Sequence, residues 1–161
     1  MSHRTAHGAS RVLCACLALT GSIASATTPP ADCPSPEAVT PAHLYGRWRL
    51  TLGAPEKPVG TGVVELERHP EYADRVRGSF ERETNTGHYK ALVAGDVAPP
   101  GFQMEESVDG ITIDAVWSGD VLPASCGREI QGWRRVVEGH TSPQEPESET
   151  PFTLQKALGW Q

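Results

Sequence analysis

A run of alternating apolar and polar residues, interrupted by the dipeptide Asp109-Gly110, extends along Phe102–Val137. Alternation of this kind places every second side chain on the same face of a β-strand, so that one face can be buried. Asp-Gly between two such runs is the strongest local signal for a two-residue hairpin, because both central residues of a type I′ turn have positive φ. The stretch therefore predicts two antiparallel strands joined at Asp109-Gly110, the second of which carries Trp117.

The same alternation recurs before and after this hairpin. In Leu44–Leu52, Trp48 and the leucines fall on one face and the arginines on the other, which is typical of a half-buried strand. We expect a loop over Gly53–Gly62 before the next strand. The last segment, Pro151–Leu158, is compatible with either a strand or a short helix. The alternation also predicts strands over Val63–His69, Arg75–Glu83 and Arg128–Val137.

The hydrophobic pattern also selects how the strands pair. Pairing Val64 with Phe80 buries the apolar residues of the second and third strands, whereas a slip by one residue would bury Glu65 and Glu67. These glutamates then lie outside, where we expect cross-strand pairing with arginine. Further expected pairs include Arg82 with Tyr89, Val108 with Ile111, Met104 with Ala115 and Phe102 with Trp117.

Eight predicted strands with mostly short connections fill the chain from residue 44 to 161. Consecutive hairpins of this number close most simply as an antiparallel up-and-down barrel, which removes the exposed edges of an open sheet. A two-sheet β-sandwich is the alternative. Ile130 and Trp133 are out of phase in their strand, which a bulge at Gly132 would accommodate. The expected core side chains are Trp48, Phe80, Phe102, Met104, Ile113 and Trp117.

The N-terminus has the order of a secretory signal peptide. Arg4 and Arg11 precede the short apolar run Val12–Leu19, and Ala24-Ser25-Ala26 supplies a small-residue cleavage site. The run is too short to cross a bilayer. The sequence therefore predicts a signal peptide over residues 1–26 and an exported protein, periplasmic or secreted, without membrane insertion.

Two further segments lie outside the predicted strands. Residues 27–43 are rich in proline and small residues and are expected to form an extended arm. Residues 138–150 are polar, acidic and proline-containing, and are expected to form a mobile loop within the single barrel domain of residues 44–161.

Cleavage of the leader would leave Cys33 and Cys126 as the only cysteines, in a compartment that permits disulfides. In a meander, Cys33 precedes the first strand and Cys126 lies between the sixth and seventh, so both fall at the same end of the barrel. A bond closing a loop this long would stabilise the fold by about 4–5 kcal/mol on the chain-entropy model. We therefore predict a Cys33–Cys126 disulfide.

The charge and the motifs of the sequence restrict the classes of function that it can have. The net charge of −6 becomes −8 when Arg4 and Arg11 leave with the leader, which argues against nucleic acid and anionic lipid as partners. The chain has no G-x-S-x-G motif, and its histidines are scattered near predicted turns. His69, Glu71 and Asp74 share one turn, but an exposed polar turn explains them more simply than a cation site. We expect no catalysis, metal or cofactor.

Three polar side chains fall on the inner face instead of the outer one. Arg82, Tyr89 and Glu106 point inward near the same open end of the predicted barrel, away from the cysteines. One interpretation is a structural ion pair between Arg82 and Glu106 that caps the core, with Tyr89 hydrogen-bonded to it. The other is a site in which the three side chains orient a small polar or anionic ligand.

Short motifs carry a resemblance to known small barrels. Gly46-Arg47-Trp48, Arg77-Gly78-Ser79-Phe80 and the strands with Trp117 and Trp133 resemble those of avidin-like and related calycin barrels. The first strand is equally similar to that of the periplasmic inhibitors of bacterial alkaline metalloproteases. The resemblance implies an eight-stranded barrel that binds a ligand, or an inhibitor that inserts its N-terminal trunk into a protease cleft. In this chain Cys33 would tether the middle of such an arm.

Three functions follow as hypotheses. The first is a non-catalytic exported module that binds a small molecule or an envelope component. The second is a secreted or periplasmic protease inhibitor acting through the arm of residues 27–43. The third is a structural or interaction protein of the cell envelope.

Overall fold

The computed structural model describes residues 33–84, 87–137 and 149–157. The predicted signal peptide, the first residues of the predicted arm and most of the predicted mobile loop lie outside these ranges. Within them no helix is long and apolar enough to cross a bilayer.

Eight strands form a closed antiparallel barrel. Each pairs with the next in sequence, and the last returns to pair with the first, so the predicted up-and-down barrel is confirmed. The segment at residue 151 is a strand and not a helix. The strands are β1 (Gly46–Ala54), β2 (Lys57–Arg68), β3 (Arg75–Thr84), β4 (Gly87–Ala98), β5 (Gly101–Ser107), β6 (Ala115–Val121), β7 (Glu129–Val136) and β8 (Thr150–Lys156). A single-turn helix, α1 (Pro41–Leu44), precedes β1 after a 3₁₀ turn at Pro36–Ala38.

The pairing of β2, β3 and β4 follows the hydrophobic pattern. Val64 lies opposite Phe80, and Arg82 lies opposite Tyr89, as predicted. The expected loop over Gly53–Gly62 is wrong, because β1 and β2 continue as a long hairpin whose turn is at Pro55 and Glu56. The turn residues are exposed, so this part of the hairpin leaves no hydrophobic signal in the sequence.

The register of β5 and β6 differs from the prediction by two residues. Met104 lies opposite Trp117, and Glu106 lies opposite Ala115. The cause is the connection, which is an ordered loop over Val108–Asp114 and not a two-residue turn. The Asp109 carboxylate accepts hydrogen bonds from the backbone N–H groups of Ile111 (2.8 Å) and Thr112 (2.7 Å), an Asx-type turn that competes with the type I′ geometry.

Two further expectations, a buried Ile113 and a bulge at Gly132, are wrong. Ile113 lies in the Val108–Asp114 loop and is 38% exposed, so it is not a core residue. β7 has no bulge at Gly132, because its pairing with β6 and β8 is continuous. Instead Ile130 faces inward, Trp133 faces outward, and Arg134 occupies an inward position.

The barrel interior is filled by large side chains. Apart from Ile113, the expected core residues are buried, and Phe80, Trp117 and Phe152 form a chain of edge-to-face contacts with ring centroids 5.4 and 5.0 Å apart. Such aromatic pairs add to the stabilisation from burial itself. The indole of Trp48 donates a 2.8 Å hydrogen bond to the carbonyl of Leu44, which satisfies its polar atom within the core.

The end of the barrel at which β1 starts is closed by the chain that precedes it. Val39 and Leu44 are buried there, and Cys33 is bonded to Cys126 in the β6–β7 loop, with 4.5 Å between the two Cα atoms. Both cysteines therefore lie at one end, as the meander requires. The opposite end carries the Val108–Asp114 loop.

Candidate functional site

The inward polar residues predicted from the sequence do meet, with a different ion-pair partner. The Tyr89 hydroxyl donates a 2.5 Å hydrogen bond to Oε1 of Glu106, and the guanidinium of Arg82 lies 5.1 Å from the centre of the Tyr89 ring. The cation paired with Glu106 is Arg134 and not Arg82. Arg134 Nε and Nη2 each donate a 2.9 Å hydrogen bond, one to each carboxylate oxygen.

A fourth side chain completes this arrangement, which we call the internal cluster: Tyr89, Glu106, Trp117 and Arg134. The indole N–H of Trp117 donates to Oε2 of Glu106 at 2.8 Å. Glu106 is 0% exposed and Arg134 is 4% exposed, so both charges lie within the core. The bidentate geometry and the extra donors meet the conditions under which a buried ion pair is tolerated.

The electrostatics agree with an ion pair that is charged at neutral pH. Burial by itself raises the pKa of Glu106, but the hydrogen bonds and charge of Arg134, with the Tyr89 and Trp117 hydrogen bonds, hold it below its usual value. The pKa of Tyr89 is raised, first by burial and then by the charge and hydrogen bond of Glu106. Glu106 thus stays a carboxylate acceptor and Tyr89 a neutral donor.

This geometry favours the structural interpretation of Glu106. Its carboxylate faces no solvent, and both of its oxygens already accept hydrogen bonds from protein donors. A ligand at the open end would have to displace one of these donors to reach it. The ligand-orienting role predicted for Arg82, Tyr89 and Glu106 therefore lacks an accessible carboxylate.

Sequence reasoning missed Arg134, although a signal was present. Strict alternation from Ile130 through Gly132 places Arg134 and Val136 on the inner face. The bulge expected at Gly132, because Ile130 and Trp133 are out of phase, would interrupt this alternation before Arg134. A buried arginine requires a carboxylate partner, and Glu106 was the inward acid already identified.

A second feature, the outer groove, lies on the outside of the barrel between the Val108–Asp114 loop and the outer faces of β2 to β5. It encloses about 880 Å³. Outward-facing side chains line it, since successive residues of a strand alternate between core and solvent. The apolar lining comes from Leu92, Ala94, Ile111 and Ile113, and the polar lining includes Ser79, Glu105 and Ser107.

Ion pairs form part of the groove lining. Arg77 Nε lies 2.9 Å from a Glu67 oxygen, which confirms the predicted cross-strand pairing of these outward glutamates, and Arg47 lies 3.6 Å from Glu65. Glu105 lines the groove without an ion-pair partner among the described residues. It is therefore the carboxylate in the lining that can pair with a charge brought by a ligand.

The loop that forms one wall of the groove is held by its own side chains. Hydrogen bonds from the backbone N–H groups of Thr112 and Ile111 lower the pKa of Asp109, so this acceptor stays ionised. The Asp114 carboxylate accepts a 2.7 Å hydrogen bond from the Val108 N–H. A loop fixed at both ends presents Ile111, 88% exposed, in one conformation.

The remaining polar turn is engaged structurally. His69 Nδ1 accepts hydrogen bonds from the backbone N–H groups of Glu71 (3.2 Å) and Tyr72 (3.3 Å). Within the described ranges no group of three or more histidine, cysteine, aspartate or glutamate side chains is placed to hold a metal ion. His140 lies outside the described residues.

Comparison with known proteins supports the fold. No protein-family model matches the chain, and no curated protein matches it. A solved structure of a redesigned β-barrel, mFAP1, bound to DFHBI matches 73% of this chain and 98% of its own, with a TM-score of 0.51 and 12% identity. A de novo designed fluorescence-activating β-barrel covers 72% of this chain and 95% of its own, with a TM-score of 0.47 and 16% identity. At 12% identity the likeness to mFAP1 concerns the small antiparallel barrel fold alone. The avidin-like and inhibitor resemblances stay predictions.

Proposed function

We propose that this protein is a non-catalytic, exported binding module that holds a small molecule in the outer groove. The observation that carries the proposal is the groove itself. Its volume of about 880 Å³ lies within the usual range for small-molecule sites. Its lining combines apolar side chains with polar ones that can orient a ligand, as small-molecule sites do.

The barrel interior is a less suitable place for a ligand. Trp48, Trp117 and Phe152 fill it, and the internal cluster occupies the region near the open end. In mFAP1 the barrel is found with bound DFHBI, and that protein is a precedent for a small barrel as a ligand scaffold. In this protein the packed interior acts instead as a rigid support for the outer groove.

The charges of the groove define the ligand class. The arginines of the lining are paired with Glu65 and Glu67, whereas Glu105 is not paired with any described residue. A carboxylate that shares the groove lining with Leu92 and Ile113 attracts a cationic group and repels an anionic one. We therefore assign the groove a ligand with an apolar body and one positive charge, a preference that the net charge of −6 reinforces.

Export is supported by two independent features. The N-terminal pattern Arg11, Val12–Leu19, Ala24–Ala26 is typical of a cleaved signal peptide. The Cys33–Cys126 disulfide is the kind of bond that persists in oxidising compartments. Both favour a periplasmic or secreted location.

Three probes that share an apolar tail and differ in charge test this function: octylammonium, octanol and octanoate. We expect saturable binding in the order octylammonium, octanol, octanoate, with NMR shift changes centred on Leu92 and Ile113. Ala94→Trp fills the groove and should abolish binding. Gln103→Trp adds the same ring at an exposed position of β5 outside the groove lining and should leave binding unchanged.

Two results would overturn the assignment. One is the absence of saturable binding by all three probes to a folded protein. The other is equal binding by Ala94→Trp and the unsubstituted protein, which would place the probes elsewhere. Both substitutions introduce tryptophan, so a difference in probe binding between the two variants is due to the position of the ring.

The inhibitor hypothesis stays a prediction. It places the action in residues 27–43, of which the described part, from Cys33 onward, is fixed to the barrel by the disulfide and by burial of Val39. No contact in the described residues favours it over the groove. The structural role in the cell envelope likewise stays a prediction.

A further inference from the structure

A separate cleft lies on the outside of β6, β7 and β8. It encloses about 510 Å³ and is lined by an exposed indole, polar side chains and the β1–β2 turn. We call it the Trp133 surface and define it by Ser118, Asp120, Gln131, Trp133, Pro151 and Thr153. None of these residues lines the outer groove.

The sheet register arranges these side chains in two parallel rows. Trp133 lies opposite Ser118 of β6 on one side and Pro151 of β8 on the other. Two residues away, Gln131 lies opposite Asp120 and Thr153. The rows are separated by about 6.6 Å, since a strand rises about 3.3 Å per residue. A row that contains the indole of Trp133 and the ring of Pro151 therefore runs beside a row of hydrogen-bonding groups.

Close packing of the backbone fixes this part of the sheet. Gly119 and Gly132 lie opposite each other between the two rows. A Cβ built on Gly132 would overlap the Ser118 carbonyl oxygen, and one on Gly119 would lie 2.5 Å from the Gln131 carbonyl oxygen. Both contacts are shorter than real side chains allow, so the strands can approach this closely only with glycine at both positions.

The polar row is prepared to recognise hydroxyl groups. The Gln131 amide nitrogen donates a 3.1 Å hydrogen bond to Glu129, which orients the amide and leaves its oxygen available as an acceptor. The side-chain carboxylate of Asp120 has no hydrogen-bond or ion-pair partner among the described residues. Its carboxylate can accept from two hydroxyl donors, and it disfavours an anionic ligand.

We propose that the Trp133 surface binds a neutral saccharide. A sugar ring has an apolar C–H face, which packs on the electron-rich face of an indole, and a rim of hydroxyls that donate and accept hydrogen bonds. Trp133 is 53% exposed, so its ring is open to such stacking. The adjacent Asp120 and Gln131 supply partners for the hydroxyl rim at the distance set by the two rows.

The polar side chains around Trp133 favour a saccharide over an apolar protein segment as the ligand. A protein-docking face has apolar residues at its fully buried centre, with charged residues depleted there. Here the indole is flanked by Ser118 and by the polar row of Asp120, Gln131 and Thr153. One apolar surface beside several hydroxyl-recognising groups matches a sugar more closely than a hydrophobic segment.

Calorimetric titration of the folded protein with neutral disaccharides tests the proposal. The probes are cellobiose, maltose, lactose, mannobiose and the disaccharide of N-acetylglucosamine. At least one should bind saturably. Trp133→Ala should weaken that binding by about tenfold or more, and Asp120→Asn should weaken it by about threefold or more. Arg135→Ala removes an exposed side chain two residues along the same strand and should change it by less than about twofold.

Three outcomes would overturn the proposal. The first is no binding of any disaccharide. The second is unchanged binding by Trp133→Ala. The third is self-association that Trp133→Ala abolishes and sugars do not affect, which would make the surface a contact between copies of the chain. These variants leave the outer groove intact, so the octylammonium titration reports separately on the proposed function.

Discussion

Glu106 shows how much one inward side chain depends on its partners. Its carboxylate is completely buried and accepts hydrogen bonds from Tyr89, Trp117 and Arg134. Removing one member of a buried ion pair leaves the other charged and poorly solvated, which costs more than the pair itself contributes. Stability, more than ligand binding, is therefore the property that changes in this cluster should affect.

Replacing Arg134 with methionine tests this directly. Arg134→Met should lower the free energy of unfolding by about 3–5 kcal/mol, because it strips Glu106 of its buried cation. Urea denaturation measures the loss. Arg135→Met on the exposed face of the same strand is the control and should change stability by less than about 0.5 kcal/mol. Equal effects of the two substitutions would contradict the internal cluster as described.

The pKa shift of Glu106 gives a pH dependence with a definite sign. Its pKa is lower in the folded protein than in the unfolded chain, so it stabilises the fold above the ordinary carboxyl value of about 4.3. That contribution is lost as the pH falls through the folded value. Below about pH 4, stability should therefore fall more steeply in the unsubstituted protein than in Glu106→Gln. Parallel acid denaturation curves would argue against an ionised Glu106.

Glu105 carries the charge preference proposed for the outer groove. Glu105→Gln keeps the size of the side chain and removes its charge. Octylammonium should then bind with the affinity of octanol, while octanol binding stays unchanged. A loss of affinity for both probes would indicate a packing role for Glu105 in place of an electrostatic one.

At the level of elements, the strand pairs and their connections differ in how far local sequence determines them. The β2–β3 register followed from the sequence because a one-residue slip would bury Glu65 and Glu67. The β5–β6 register did not, because the Asp109 side chain captures two backbone N–H groups and lengthens the connection. The inward face of β7 was harder to recognise, because its inward positions include Gly132 and Arg134 whereas the large apolar side chain of Trp133 faces outward.

The Val108–Asp114 loop should lose its fixed conformation when its central acceptor is removed. Asp109→Ala deletes the hydrogen bonds to Ile111 and Thr112 and should destabilise the protein by about 1–2 kcal/mol. Hydrogen exchange of the Ile111 and Thr112 amides should accelerate. Asp74→Ala, in the exposed β2–β3 turn, removes a carboxylate without this role and should leave those amides protected.

The close approach of β2 and β3 leaves no room for a side chain at Gly78. A Cβ there would overlap the Glu65 carbonyl oxygen, so the backbone itself must move to accept a side chain. Gly78→Ala should cost about 2 kcal/mol or more in urea denaturation. A Cβ at Gly60 on β2 would lie 3.8 Å from its nearest neighbour, Leu52, so Gly60→Ala is the control substitution. A similar stability for both variants would exclude the described approach of the two strands.

For the whole molecule, barrel closure followed from the sequence because eight short, alternating segments have few other ways to bury one face each. The sites on the outer wall did not follow, because they depend on side chains from several strands and on one folded-back loop. Exposed residues such as Ile111 and Trp133 carry no periodic signal that distinguishes a site from ordinary surface. Only the assembled barrel brings their neighbours together.

The Cys33–Cys126 bond acts on the whole chain, because it joins the segment before β1 to the loop after β6. Replacing both cysteines with serine should lower stability by up to about 4–5 kcal/mol. The midpoint of urea denaturation measures the loss, with the unsubstituted protein under reducing conditions as the comparison. An unchanged midpoint would show that packing of Val39 and Leu44 is sufficient to hold the segment before β1 against the barrel.

The pairing of β8 with both β7 and β1 leaves the described strands in a ring without a seam. An intact ring offers no template onto which a second chain could add in the manner of a growing fibril. Detachment of β8 by partial unfolding or proteolysis would create two such templates at once, flanking the same gap. Resistance to aggregation in this protein therefore depends on a strand of 7 residues.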